Sequence, residues 1–358
     1  METYQLYIDG AFTDAEGGAT AASINPYNGE PIANIPVASI ADAERAIAAA
    51  RNAFDNGPWR SMSGTERGEL IGKLSAIMKE RSKELAANES RDSGGTIVKC
   101  GADTYLAQRQ MAYFGQMATN YNAEAKEIEG MSREGRSYNY TIREPIGVCA
   151  SIIPWNFPLL MAVWKLGPAL ATGNTIVLKP ASDTPLNALE LARIVDQVGF
   201  PPGVVNIISG PGSVIGEVLT TSPLVDKIAF TGSTEVGRDI MAKAAATLKK
   251  LTLECGGKSA NIVLHDANWD IAIDGSIFAS FYHQGQVCES GTRLLLPKDH
   301  HDEFVAEMVH KLKTLPMGDP LDPKTKVGPV VSERQMQSVL DYIEIGKREG
   351  AVLACGGE

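Results

Sequence analysis

The chain has only five cysteines, at positions 100, 149, 255, 288 and 355, and no C-x-x-C pair. Scattered and odd in number, they give no disulfide framework and fit a reduced, cytoplasmic compartment. The five histidines form no ligand pattern, so no metal is expected. Basic charge is also in deficit. A net charge of −10 argues against nucleic acid or an anionic membrane as the main partner. The N-terminus lacks the basic and then apolar segments of a secretory signal. The longest apolar run, GVCASIIPWNFPLLMAVW at 147–164, is broken by Pro154, Asn156 and Pro158, which makes a poor membrane span. There are no repeats and no low-complexity linker.

What remains is a globular composition, 44% hydrophobic and 21% charged over 358 residues, long enough for two domains. Residues 3–37 read as short strands and turns. Ser39-Ile-Ala-Asp42 is a capping-box variant ahead of a helix that carries Ile47, Ala50 and Phe54 on one face. A longer helix follows, with Leu70, Leu74, Ile77, Met78 and Leu85 at helical spacing. REGRSYNYTIRE at 134–145 alternates as an exposed strand or hairpin does, and such an edge needs a partner.

From 147 to 254 short apolar strands alternate with helices. Strands are expected at 147–152, 175–178, 204–208, 227–230 and 251–254, with helices at 159–171, 186–198, 213–219 and 234–247 between them. This is the pattern of a parallel sheet covered on both faces, which binds ligands beyond the carboxyl ends of its strands. The fold class is α/β: a five-stranded parallel Rossmann-like domain over 1–255, then a second α/β domain over 256–358.

Several polar residues fall at those strand ends. FTGSTEVG (230–237) places Gly232, Ser233 and Gly237 where a strand turns into a helix. Free N–H groups there suit a phosphate, although Ser233 reads equally well as a helix cap; the spacing is not G-x-G-x-x-G. Lys179 ends a buried-looking strand and either snorkels to solvent or meets a polar ligand. Glu254 follows an apolar run, as a partly buried general base or as a salt-bridged structural residue. Asn156, in PWNFP, is an amide held between prolines, a donor to an oxyanion or a partner of its own turn. Cys288 lies in FYHQGQVCES; a reactive thiol there needs partial exposure and a lowered pKa.

Together these stretches resemble the aldehyde dehydrogenase superfamily. The resemblance runs through "YIDGAF", "INPYNGE", "PIGVCASIIPWNFPLLMAVWKLGPALATGNTIVLKPAS", "GFPPGVVNIISGPG", "AFTGSTEVG", "LECGGKSANIV" and "GQVC". It implies Cys288 as nucleophile, Glu254 as general base and Asn156 as oxyanion donor. It implies NAD or NADP held by Lys179, Ser182, Gly212, Gly232, Ser233 and Gly237, with Ile152, Ile153 and Trp155 lining the cofactor site. Phe157, Met161, Trp164 and Tyr282 would line an aldehyde tunnel. The implied reaction oxidises a small-molecule aldehyde to a carboxylic acid through a thiohemiacetal and a thioester, in a homodimer or homotetramer paired partly through 134–146. Ser182 stands where NAD-preferring relatives carry a glutamate, so NADP⁺ is expected to be tolerated. The family pattern also extends beyond Glu358, so weak or no turnover is expected of these 358 residues alone. The alternatives are a CoA-acylating relative, disfavoured by Glu254, or a catalytically silent form of the fold.

Overall fold

The computed structural model describes residues 1–120 and 142–357, together with the backbone pairing of 128–129 with 138–139. Five short strands open the chain: β1 (Glu2–Thr3), β2 (Leu6–Ile8), β3 (Ala11–Thr13), β4 (Thr20–Ile24) and β5 (Pro31–Pro36). Four helices follow: α1 (Ile40–Asp55), α2 (Gly64–Glu80), α3 (Ser82–Ser93) and α4 (Ile97–Asn120). The expected capping box forms at α1. Ser39 Oγ accepts from Asp42 N at 3.1 Å, and Ser39 N donates to Asp42 Oδ2 at 2.8 Å. The long helix expected through Leu85 is instead two, α2 and α3, which meet at Arg81.

Strands β6 (Ile128–Glu129) and β7 (Tyr138–Asn139) pair antiparallel. Residues 134–137 and 140–141 of the expected 134–145 strand lie outside the described residues. Then come β8 (Val148–Ile152), α5 (Pro158–Ala171), β9 (Thr175–Lys179), α6 (Leu186–Val198) and β10 (Val205–Ile207). A π-helical turn, Gly212–Gly216, leads into α7 (Glu217–Thr221), followed by β11 (Lys227–Gly232), α8 (Thr234–Ala244) and β12 (Lys250–Cys255). The remainder comprises β13 (Ala260–Ile262), α9 (Trp269–Phe281), β14 (Arg293–Leu295), α10 (His301–Leu312) and α11 (Glu333–Arg348).

The central sheet has the order β12-β11-β8-β9-β10-β2-β3. Its first five members are parallel, as expected; β2 and β3 add an antiparallel edge. Alternate residues point to opposite faces. Ile176 and Leu178 join a core with Leu159, Leu166 and Leu170 of α5, while Val148, Ala150 and Val177 join a second with Ile47 and Ala50 of α1. Strands buried on both sides carry continuous apolar runs, which is why this region was readable. A third, smaller core joins Val263, Ile273 and Phe304 beside the separate β13–β14 pair.

Candidate active site

The register aligns the carboxyl ends of the parallel strands. Ile152 pairs with Lys179 and with Phe230, Leu178 with Ile207, and Thr231 with Glu254. The residues singled out at 152–156, 179–182, 210–212, 231–233 and 254 therefore share one edge of the sheet.

Lys179 is 3% exposed, and its Nζ donates to the Pro180 carbonyl at 2.8 Å. Burial pulls its pKa down to about 8, against the opposing pull of Asp183. This is a desolvated ammonium facing the crevice end of the sheet. Ile153 N donates to Lys179 O at 3.0 Å and fixes the turn after β8; Ile152 and Trp155 are half-buried beside it. Ser182 is exposed and donates to Gly210 O at 3.1 Å, so it ties the ends of β9 and β10 together. Gly212 opens the π-helical turn.

Ser233 caps α8, its Oγ accepting from Val236 N at 3.3 Å, so the capping role is realised. Thr231 Oγ1, next to it, is buried with no hydrogen-bond partner. Glycine is required here on packing grounds. A Cβ on Gly232 would lie 2.5 Å from the Phe230 ring, and one on Gly237 would lie 2.9 Å from Cys255 Sγ.

Around the cysteine, three loops converge. Asn156 Nδ2 donates to the Gln286 carbonyl at 2.8 Å, two residues before Cys288. The amide thus reaches across to another loop rather than satisfying its own turn, and its second N–H is left for another acceptor. From the other side, a Cβ on Gly257 would stand 3.4 Å from the Cys288 carbonyl, so the loop after Glu254 packs against the Cys288 backbone. Ser259 N donates to Ser290 O at 3.2 Å and continues that contact.

Two expectations need correction. Cys288 is half-buried, but its pKa is raised to about 11 rather than lowered. Burial is the largest cause, and its Sγ also donates to Glu289 Oε2 at 3.0 Å. Glu254 is exposed rather than partly buried; it lies one residue before the end of β12, an edge strand of the sheet.

Phe157 and Met161 are buried in the main core, with Tyr282 packed against it. Trp164 is 46% exposed and lines a cavity of about 750 Å³ with Arg60, Arg67, Lys165 and Lys227, on the face of β8 and β11.

The sequence reading missed a buried charge cluster behind Asn156, formed by Lys99, Glu89 and Asp103. Its one local signal was the four-residue spacing of Lys99 and Asp103 on a helix. It also missed His283, which is buried against Phe157 with ring centroids 5.7 Å apart. Burial and the Lys99 charge keep that imidazole neutral, well below its usual pKa. Neither ring nitrogen forms a well-aligned hydrogen bond.

Among the described residues, no helix is long and apolar enough to cross a membrane. Comparison with known proteins agrees with the geometry. The model of the aldehyde dehydrogenase family matches residues 12–358. The chain is 48% identical over 356 residues to DhaS of Bacillus subtilis (strain 168), an aldehyde dehydrogenase by name, covering 99% of this chain and 71% of that one. It is 43% identical to the human mitochondrial aldehyde dehydrogenase, covering 99% and 68%. A betaine aldehyde dehydrogenase from Staphylococcus aureus, solved with NAD⁺ and a BME-modified cysteine, superposes with a TM-score of 0.96 at 36% identity, covering 99% of this chain and 70% of that one. The chain therefore spans about 70% of the length of these relatives. A parallel sheet with its polar residues gathered at one edge, a half-buried cysteine clasped between two loops and a match along nearly the whole chain lead to one conclusion: the chain belongs to the aldehyde dehydrogenase family and is an NAD(P)-dependent oxidoreductase.

Proposed function

We propose that this chain oxidises an aldehyde to a carboxylic acid by covalent catalysis on Cys288. The observation that carries the reading is the clasp of Asn156 on the Gln286–Cys288 loop, which holds an amide donor beside a half-buried thiol. The Cys288 thiol gives up its proton to solvent, and the resulting thiolate adds to the aldehyde carbon to give a thiohemiacetal oxyanion. The free N–H of Asn156 and the backbone N–H of Cys288 stabilise that charge. The oxyanion re-forms its C=O bond as hydride leaves the carbon, and a thioester remains on Cys288. Glu254, near the end of β12 and open to solvent, activates the water that hydrolyses it.

A nicotinamide dinucleotide fits the crevice edge, where a buried ammonium and an unpartnered threonine hydroxyl face the strand ends. Lys179, Ser182 and Ser233 are the residues that would hold it, beside the glycines at 212, 232 and 237. When bound, it supplies the hydride acceptor. Ser182 brings no charge against a 2′-phosphate, but Asp183 stands next to it, paired with Arg334 at 3.4 Å. Both NAD⁺ and NADP⁺ are therefore expected to serve, with NAD⁺ preferred. The separate core beside β13 supports a division of the chain near residues 255–260. Phe157, Met161, Trp164 and Tyr282 are the candidates for lining the aldehyde path.

The test is an aldehyde panel with each cofactor, with and without CoA, run on the chain and on Cys288→Ala. Acid formation, weak as expected for these 358 residues alone, that disappears in Cys288→Ala with cofactor binding intact is the expected result. Undiminished turnover in that variant overturns the reading, and acyl-CoA as the product overturns the hydrolytic step.

A further inference from the structure

We propose that Lys99 is a positioning residue for the reaction: its buried ammonium holds the Asn156 main chain and so aims the Asn156 amide at the oxyanion. The inference rests on the role given to Asn156 above.

Lys99 belongs to α4, far in sequence from the site, and is 3% exposed. Its Nζ lies 2.8 Å from Asp103 Oδ2 and 3.7 Å from Glu89 Oε1. It donates to the Asn156 carbonyl at 2.8 Å and stands 4.3 Å from the centroid of the Phe157 ring. Every direction open to the ammonium is thus taken by a carboxylate, the Asn156 carbonyl or an aromatic face. Glu89 grips the same loop from its other end. Its Oε2 accepts from Leu159 N at 3.1 Å and from Asn187 Nδ2 at 3.0 Å. A cation on the carbonyl of Asn156 and an anion on the amide of Leu159 leave the PWNFP turn little freedom. With the main chain pinned, the side-chain amide has one way to reach the Gln286 carbonyl.

A charge cluster this deep is a poor source of stability, because desolvation offsets much of the attraction between its members. Apolar packing from Ala107 and Met111 already seats α4 against the core. What the cluster adds is direction, delivered to the one turn that presents the oxyanion donor. Burial and the charge of Asp103 raise the pKa of Glu89, and burial raises that of Asp103, while Lys99 stays charged between them.

The experiment compares two reactions of the Cys288 sulfur, each followed by mass spectrometry. Acylation by 4-nitrophenyl acetate passes through an oxyanion before 4-nitrophenolate leaves; alkylation by iodoacetamide displaces iodide with no oxyanion. The ratio of the two rates isolates oxyanion stabilisation from thiol reactivity. In Asn156→Ala the ratio is expected to fall about 100-fold. In Lys99→Met it is expected to fall at least about tenfold, since small misplacements of catalytic groups are costly. Lys99→Met leaves two carboxylates facing each other, so Lys99→Met/Asp103→Leu is measured beside it, with folding checked by circular dichroism. If Lys99→Met fails to fold, the double variant alone decides. A ratio that falls in Asn156→Ala but not in the folded Lys99 variants overturns the inference and leaves the Asn156 reading standing. A ratio unmoved in Asn156→Ala overturns both.

Discussion

At the scale of single residues, Cys288, the proposed nucleophile, sits in an environment that holds its proton. Burial and the Glu289 carboxylate lift the Cys288 thiol to about 11, so at neutral pH it is almost wholly protonated. Its alkylation rate should still be climbing at pH 10. Glu289→Gln removes a negative charge 3.0 Å from the sulfur, which favours the thiolate. The expected outcome is a several-fold faster iodoacetamide reaction at pH 7.5 and a pH–rate inflection moved to lower pH. An inflection that stays where it was would remove Glu289 as a cause. Lys179 titrates in the opposite sense. Buried and lowered to about 8, it carries its charge below that pH and loses it above. NAD⁺ affinity should therefore weaken as pH rises past 8. In Lys179→Met it should be weaker by about tenfold at pH 7 and flat with pH, as calorimetry can show. Which of these residues mattered was partly legible in the chain. Cys288, Asn156 and Glu254 stood out by motif, but the surroundings of each did not. The partners of Cys288 and Asn156 come from a neighbour's carboxylate and a distant loop. Lys99 reads in one dimension as an ordinary lysine on a helix surface.

Among the elements, the parallel strands and their covering helices follow from local pattern. Their ends fall within a few residues of the expected positions, because strands such as Thr175–Lys179 carry an unbroken apolar run at 176–178 and Gly199 stops α6 in the left-handed conformation. The junction at Arg81 escaped notice because Leu74, Met78 and Leu85 keep a helical rhythm across the break. The meeting of α8 with β12 is a close element contact beside the site. Gly237→Ala drives a methyl into Cys255 Sγ, adjacent to Glu254. It should lower the melting temperature, and Cys255→Ala in the same chain should recover most of the loss, a non-additivity expected of touching residues. Equal losses in both backgrounds would show that the contact is not what matters.

For the molecule as a whole, buried acids shape the response to pH. Asp92 is 2% exposed and joins two distant parts of the chain. Ser23 Oγ donates to it at 2.6 Å and Leu186 N at 2.9 Å. Burial, only partly offset by those hydrogen bonds, raises its pKa to about 7, against 3.8 for the free group. Between those values the unfolded chain releases a proton that the folded chain keeps, so stability falls as pH rises from about 4 to 7. The full effect is roughly 4 kcal/mol. Asp92→Asn keeps the shape and removes the titration. Thermal unfolding across pH 4–8 should show a flatter profile in that variant, and an unchanged slope would assign the dependence to other groups.

The central sheet is closed on one side by the beginning of the chain: Tyr7 lies opposite Ile207. During synthesis β2 and β3 have no edge of the central sheet to dock on until β10 has followed them out, after α1 to α6 have appeared. These two strands are thus made well before they can be seated. Until they seat, the outer rim of β10 is open to pairing with another chain.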